Sequence, residues 1–159
     1  MKQVSSIRDL PNNPSLYALY GGTDKRGYVA YVGATDKLRH RINQHLIRQN
    51  SSVTTGKSAV RLETDYIFKI CWWEHESFRD RNKLEAAELV AFKVLNPRLT
   101  SGGSPKKEAE KFIEDQNFLK LIQELLNGQP TGVIFLRSLE ERVDNLEKRL
   151  SKLEELLTR

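Results

Sequence analysis

Five side chains of this 159-residue chain have the types and spacing that phosphodiester chemistry requires. They are Tyr17, Tyr31, Arg41, His45 and Glu88. Cleavage of a phosphodiester bond requires a group that accepts a proton, a cation beside the phosphate and a carboxylate that holds a metal ion. Tyrosine or histidine, arginine and glutamate supply these functions, and no other part of the sequence offers such a set.

Three short runs of aromatic and β-branched residues predict the strands around these side chains. Residues 16–20 and 28–32 are joined by a Gly-rich polar segment, which is typical of an antiparallel hairpin. Residues 65–73 predict a third strand. The two tyrosines therefore lie on paired strands.

A helix that carries the arginine and the histidine is predicted after the hairpin. Its apolar residues recur at helical spacing at Leu38, Ile42 and Leu46. Arg41, His45 and Arg48 form a second stripe at positions i, i+4 and i+7. This stripe predicts that three donors face one target. The segment that follows, 49–58, is polar and rich in Ser and Thr, and we read it as a flexible or DNA-facing loop.

A second helix is predicted over residues 82–96 and ends at Pro97. It is apolar around most of its circumference, which indicates a buried helix, yet Glu88 lies in its middle. Burying a bare carboxylate is costly unless it meets a cation or a metal ion. Glu88 is therefore either a metal ligand or the partner of an arginine or of hydrogen-bond donors at the edge of the core.

The formal charge of +5 is concentrated in one segment. Residues 34–62 hold six cations and the single anion Asp36, so this segment accounts for the whole net charge. Besides Arg41, its cations are Lys37, Arg39, Arg48, Lys57 and Arg61. A localised basic patch indicates a polyanionic partner such as nucleic acid, and these five side chains are candidate DNA contacts. The alternative is a solvated helix face that happens to be basic.

Composition argues against a membrane protein. Hydrophobic residues make up 38% and charged residues 30% of the chain, the mean hydropathy is -0.57, and no apolar run approaches the length of a bilayer span. Residues 1–5 have no apolar signal core, and the single cysteine, Cys71, cannot form an internal disulfide. We expect a cytoplasmic protein with one domain and a tail.

The C-terminal third is predicted to be mostly helical. Ser104 and Pro105 are a strong start for a helix that runs to Leu126, whereas residues 131–136 fit either a short strand or a linker. Heptad a and d positions then hold Leu136, Leu139, Val143, Leu146, Leu150, Leu153 and Leu157.

The charges beside these heptad positions favour a parallel homodimer. Parallel strands pair Arg142 with Glu147 and Arg149 with Glu154 of the second chain, while antiparallel strands oppose like charges. Two alternatives are that the helix folds back on its own domain, or that it recruits a different partner.

The chain resembles the GIY-YIG nuclease family. The two tripeptide motifs of that family correspond to residues 15–17, Ser-Leu-Tyr, and 31–33, Tyr-Val-Gly. Its arginine falls eight residues after the second glycine, where Arg41 stands, and some members have a histidine four residues further on, as at His45. Its metal-binding glutamate lies nine residues before the proline that ends its helix, as Glu88 does.

The resemblance covers roughly residues 11–100 and implies an α+β fold with a small three-stranded antiparallel sheet flanked by helices. With the C-terminal helical extension and coiled coil added, we divide the chain into a nuclease domain (1–103), a helical extension and linker (104–136) and a coiled-coil helix (137–159).

The resemblance further implies a metal-dependent endonuclease that acts on DNA. Glu88 would hold one Mg²⁺, or Mn²⁺ in its place, and Arg41 would neutralise charge on the phosphoryl oxygens. Tyr17 or Tyr31 would take a proton from the attacking water, helped by Arg41 and the metal, which favour the phenolate. His45 would orient water or assist that transfer.

Three departures from the family pattern keep a second function open. Ser15 replaces the first glycine, Ala34 stands where many relatives have lysine or serine, and Thr100 stands where relatives often have asparagine near the metal. None removes a main catalytic residue. The alternative is a non-catalytic nucleic-acid-binding adaptor with a coiled-coil oligomerisation tail.

Overall fold

The computed structural model describes residues 1–23, 25–52, 54, 62–99, 107–136 and 139–158, with side chains in the last range from residue 143. The strands are β1 Lys2–Val4, β2 Ser15–Gly22, β3 Gly27–Thr35, β4 Ile67–Trp73 and β5 Gly132–Phe135. The α-helices are α1 Leu38–Leu46, α2 Arg81–Leu95, α3 Lys107–Ile113, α4 Gln116–Asn127 and α5 Leu139–Leu157. The chain has the α+β fold that the resemblance implies.

The sheet has five strands in the order β1-β5-β4-β2-β3, so the prediction of three strands is wrong. The predicted hairpin β2–β3 and the strand β4 form its antiparallel centre and one edge. Strand β5 adds to β4 antiparallel, and β1 adds to β5 parallel. Runs of three and four residues are too short to show a strand period in a sequence. Pairing decides their conformation, because the edge of β4 satisfies the backbone groups of β5, and the edge of β5 satisfies those of β1.

The sheet is covered on both faces, and alternate residues of one strand reach different cores. Trp72 packs in a cluster with Tyr17, Tyr31 and residues of α1, while Trp73 packs in a cluster with residues of α2 and α4. Both tryptophans are buried. The two tyrosines of interest therefore share the face that α1 covers.

The predicted single helix up to Leu126 is two helices, and its predicted start at Ser104 and Pro105 lies outside the described residues. The carboxylate of Asp115 accepts hydrogen bonds from the backbone N–H groups of Asn117 and Phe118, at 3.0 and 3.4 Å. Asp115 is therefore the N-cap at which α4 starts as a separate helix. The buried residues of α4 are Phe118, Ile122 and Leu126, and they share a core with α2.

The tail forms the predicted helix as α5. Its heptad side chains from Val143 onward are exposed, from 45% at Val143 to 85% at Leu157, so they are not packed against the domain. Pairing of α5 into a coiled coil stays a prediction.

No helix in the described part of the chain is long and apolar enough to cross a membrane.

Candidate active site

Pairing of β2 with β3 brings the two tyrosines onto one face. Tyr17 lies opposite Gly33 and Tyr31 lies opposite Leu19, so the rings are diagonal neighbours with centroids 6.1 Å apart. A Cβ atom at residue 33 would collide with the phenol of Tyr17. The glycine that closes the Tyr-Val-Gly motif is thus needed to make room for the first tyrosine.

Helix α1 places Arg41 and His45 over the tyrosines. His45 Nε2 lies 2.8 Å from the hydroxyl of Tyr17, and the imidazole meets the ring of Tyr31 edge-on at 5.3 Å. The guanidinium of Arg41 lies close enough to both phenols to interact electrostatically with them, and its Nη1 donates to Gln44 Oε1 at 3.2 Å. Four of the five predicted side chains therefore converge on one point.

The predicted stripe of three donors is wrong in its third member. Helix α1 ends at Leu46, and Arg48 lines a groove with Arg39 instead of continuing the row of Arg41 and His45. His45 is also completely buried, so it faces the tyrosines and not the surface.

Sequence reasoning missed two hydroxyl side chains that support His45. Ser51 Oγ lies 2.8 Å from His45 Nδ1 and 3.0 Å from Thr54 Oγ1, and Thr54 Oγ1 donates to the backbone oxygen of Ser51 at 3.0 Å. Both residues are buried. The polar composition of 49–58 predicted a flexible or DNA-facing loop, although a Ser and a Thr three residues apart can form this local turn.

Burial governs the ionisation of Tyr17 and His45. It raises the pKa of Tyr17 well above its ordinary value, Tyr31 adds to the effect, and Arg41 opposes it without reversing it. Burial, with the charge of Arg41, lowers the pKa of His45 to about 3. At neutral pH Tyr17 is a protonated phenol and His45 a neutral imidazole, so the expectation that Arg41 favours a phenolate is outweighed by desolvation.

Glu88 reaches the site from α2, beside the edge strand β3. Burial raises the pKa of its carboxyl to about 7, a hydrogen bond from the backbone N–H of Ala34 opposes that rise, and Glu85 adds to it. Among the described residues no ion pair with Glu88 is formed, because Arg81 pairs with Asp36 at 3.8 Å and Glu85 at 3.7 Å. The salt-bridge alternative is not realised in that part of the chain.

The donor set at Glu88 fits a magnesium ion. In the described ranges no group of three His, Cys, Asp or Glu side chains could enclose a metal. Magnesium is usually held by one or two carboxylates and completes its shell with water and substrate phosphate oxygens. A single poorly solvated carboxylate whose charged form lacks an ion-pair partner suits that mode of binding.

The sequence matches the GIY-YIG catalytic domain family over residues 14–100, more than half of the chain. The chain belongs to the GIY-YIG family. Members of this family are endonucleases that generally depend on a divalent metal. All five predicted side chains lie inside the matched range. No curated protein and no solved structure matches the chain.

Two departures from the GIY-YIG pattern are accommodated by the backbone. Ser15 is buried at the start of β2, and its hydroxyl donates to the backbone oxygen of Asn13 at 3.0 Å. Ala34 contributes only its backbone N–H, which binds Glu88. The third departure, Thr100, lies outside the described residues.

The basic residues predicted to contact DNA separate into three groups. Arg39 and Arg48 line the groove on α1 together with Ile7, Arg8, Asn12, His40 and Asn43. Lys37 is exposed directly before α1. Lys57 and Arg61 lie outside the described residues. Arg8 was missed because it does not stand out in the sequence until the fold brings the segment 7–12 beside α1.

Proposed function

We propose that this chain is a divalent-metal-dependent endonuclease that hydrolyses DNA phosphodiester bonds. The observation that supports it most is the convergence of a phenol, an imidazole and a guanidinium on one point, with a carboxylate of raised pKa interacting electrostatically with Tyr17 and Arg41. Each group matches one need of phosphodiester hydrolysis.

Glu88 would hold one Mg²⁺, or Mn²⁺ in its place. When bound, the metal supplies Lewis-acid polarisation of the scissile phosphate and neutralises the leaving oxygen. Arg41 donates to the phosphoryl oxygens, and the hydrogen bond from its Nη1 to Gln44 Oε1, at 3.2 Å, helps to orient the guanidinium.

We assign the general base to Tyr17, because its hydroxyl contacts a nitrogen that can take its proton. Water attacks the phosphorus as its proton passes to Tyr17 Oη, and the proton that Tyr17 carried passes to His45 Nε2. The bond from phosphorus to the leaving oxygen breaks, and that oxygen keeps the electron pair and takes a proton from solvent. After the product leaves, the proton passes back from His45 Nε2 to Tyr17 Oη while Tyr17 releases its other proton to water that enters the site.

A bound phosphate makes this transfer easier. The charge of Arg41 is one cause of the low pKa of His45. A phosphate beside Arg41 offsets that charge, so the imidazole becomes more basic when substrate is present.

DNA binding is assigned to the basic residues around α1. Residues two apart on a helix differ by about 200°. The pair Arg39 and Asn43 therefore faces away from the pair Arg41 and His45. We propose that the groove lined by Arg8, Arg39, His40 and Arg48 holds phosphates outside the active site, with Lys37, Lys57 and Arg61 as further contacts.

The chain is proposed to act as a parallel homodimer through α5. Exposed leucines at heptad spacing need a partner, and Arg149 opposes Glu154 of a parallel second chain. Two active sites would then cut the two strands of one duplex.

One observation favours the second candidate function, a nucleic-acid-binding adaptor without catalytic activity. Tyr17, Tyr31 and His45 are 1%, 2% and 0% exposed, so water has little access to the proposed base. An adaptor would bind DNA and leave it intact.

Nicking of supercoiled plasmid with Mg²⁺ tests the assignment of Tyr17. We expect Tyr17→Phe to lower the nicking rate by about 10²- to 10⁴-fold, the contribution of a general base, because the variant cannot relay a proton. The matched control is Tyr20→Phe, which removes a hydroxyl from the same strand outside the site. Equal rates for Tyr17→Phe and the wild type would contradict the assignment.

A further inference from the structure

A continuous row of hydrogen bonds runs from Tyr17 through His45 and Ser51 to Thr54, and the direction of each bond can be worked out from its far end. Thr54 Oγ1 lies 3.0 Å from the backbone oxygen of Ser51, which can only accept. The single hydroxyl proton of Thr54 is therefore used there. Ser51 Oγ must then donate its own proton to Thr54 Oγ1 across 3.0 Å.

The direction of the Ser51 bond fixes the tautomer of His45. Because Ser51 Oγ donates its proton to Thr54 Oγ1, it accepts a hydrogen bond from His45 Nδ1, which is 2.8 Å away. A neutral imidazole carries one N–H, so Nε2 is left as a bare acceptor. Tyr17 then donates its hydroxyl proton to Nε2 across 2.8 Å.

The burial of Tyr17 supports the same direction from the other end of the row. In a pocket where Tyr17 is 1% exposed, the phenol proton needs an acceptor, and His45 Nε2 is in reach. The reverse tautomer would take this acceptor away from Tyr17 and would force Thr54 to share one proton between two oxygens.

We propose that Ser51 and Thr54 are positioning residues that hold His45 in its Nδ1–H tautomer. In this state Nε2 is ready to receive the proton of Tyr17 as Tyr17 takes one from the attacking water. The proposal rests on the proposed function for its catalytic consequence, whereas the tautomer can be measured without any cleavage. Both residues act through His45 and touch neither substrate nor metal.

The first test is the tautomer of His45 in the metal-free full chain, measured by ¹⁵N NMR of the imidazole. The wild type is expected to carry its proton on Nδ1. Ser51→Ala removes the acceptor of that proton and is expected to give a mixture of tautomers, and Thr54→Val is expected to weaken the preference because Ser51 loses the acceptor for its own proton. Ser51→Thr and Thr54→Ser keep the hydroxyls and should restore it. A wild-type proton on Nε2 would overturn the proposal.

The second test is the steady-state nicking of plasmid DNA by the same variants. Ser51→Ala is expected to lower kcat by at least about tenfold with little change in KM, since loss of a residue that orients another typically costs about 10- to 100-fold. Ser52→Ala is the matched control, because Ser52 is the exposed neighbour of the buried Ser51. An unchanged tautomer and kcat in Ser51→Ala would refute the positioning role. If the tautomer shifts but the wild type never nicks DNA, the endonuclease proposal and the catalytic role of Ser51 fall together, and the tautomer assignment stands.

Discussion

At Glu88 the proposed metal-binding role and the stability of the fold oppose each other. Burial raises the pKa of its carboxyl from 4.5 to about 7 in the folded chain, so the folded state binds this proton more tightly than the unfolded state. As pH rises from 4.5 towards 7, the unfolded chain ionises first and the free energy of unfolding falls. A metal ion would reverse that loss by binding only the ionised, folded form.

Replacement of Glu88 by glutamine removes the ionisable group and with it the pH-dependent loss of stability. With EDTA present, Glu88→Gln should match the wild type near pH 4.5 and exceed its free energy of unfolding by about 3 kcal/mol at pH 8, from the size of the pKa shift. Urea unfolding at the two pH values checks this, with Glu85→Gln on the same helix as the control. Parallel pH dependence in the wild type and Glu88→Gln would show that Glu88 is not desolvated.

At the residue scale, the sequence predicted the types and spacing of the main site residues but not their protonation. Tyr17, Tyr31, Arg41 and His45 meet as their spacing implied. The phenolate that Arg41 and a metal would favour stays a prediction, and the sequence did not indicate the desolvation of Tyr17, which opposes it. Burial of a hydroxyl is decided by the whole fold, so no local pattern reports it.

In the proposed function, helix α1 joins the catalytic side chains to the DNA-binding groove. One face presents Arg41 and His45 to the tyrosines, and the opposite face forms the groove with Arg8. About one helix diameter, 10–12 Å, separates the two faces. The groove would therefore contact phosphates a few nucleotides from the scissile bond, since the rise along one strand is about 3.4 Å per nucleotide.

Loss of two groove arginines should weaken DNA binding in a salt-dependent way. For Arg8→Ala/Arg39→Ala we expect the slope of log affinity against log salt to become shallower by about 2, because two phosphate contacts are lost. Fluorescence anisotropy with a duplex in EDTA measures it, and Arg79→Ala, an exposed arginine outside the groove, is the control. A wild-type slope in the double variant would assign these arginines to ordinary solvated surface.

At the element scale, strong apolar periods predicted most helices and strands, whereas β1 and the break before α4 were missed and β5 was left open between a strand and a linker. The hairpin β2–β3, β4, α1 and α2 lie close to their predicted positions. The break before α4 depends on a single capping residue, Asp115, inside an otherwise helical pattern. Strands β1 and β5 depend on a neighbouring strand edge, which is a tertiary cause.

At the scale of the whole molecule, the domain buries its apolar side chains in its own core, whereas the tail leaves its apolar stripe exposed. The sheet, α2 and α4 close a core, so the predicted helical extension packs on the module and does not only follow it. The helix α5 leaves its apolar stripe exposed, for example Leu150 at 59% and Leu153 at 55%. The heptad period could be predicted from the sequence because it depends only on local spacing. The identity of the partner depends on a second surface, so the sequence of the tail does not determine it.

The oligomeric state tests the role of the tail. Light scattering of the full chain should give a dimer, and Leu146→Lys/Leu153→Lys should give a monomer, because two d-position leucines of the stripe would become charged. A chain that ends at Leu136 is the matching truncation, since it keeps the sheet strand β5. A monomeric full chain would reject the homodimer and leave the recruitment of another protein.

We propose that Glu88 enables metal-dependent hydrolysis of DNA, and nicking of supercoiled plasmid by Glu88→Ala separates this role from that of an adaptor. The wild type and the control Glu85→Ala should nick the plasmid with Mg²⁺ or Mn²⁺ and stop in EDTA. Glu88→Ala should fold, bind the plasmid and leave it supercoiled. Undiminished cutting by Glu88→Ala, or binding without cutting by the wild type, would contradict the claim, and the latter result would identify the adaptor.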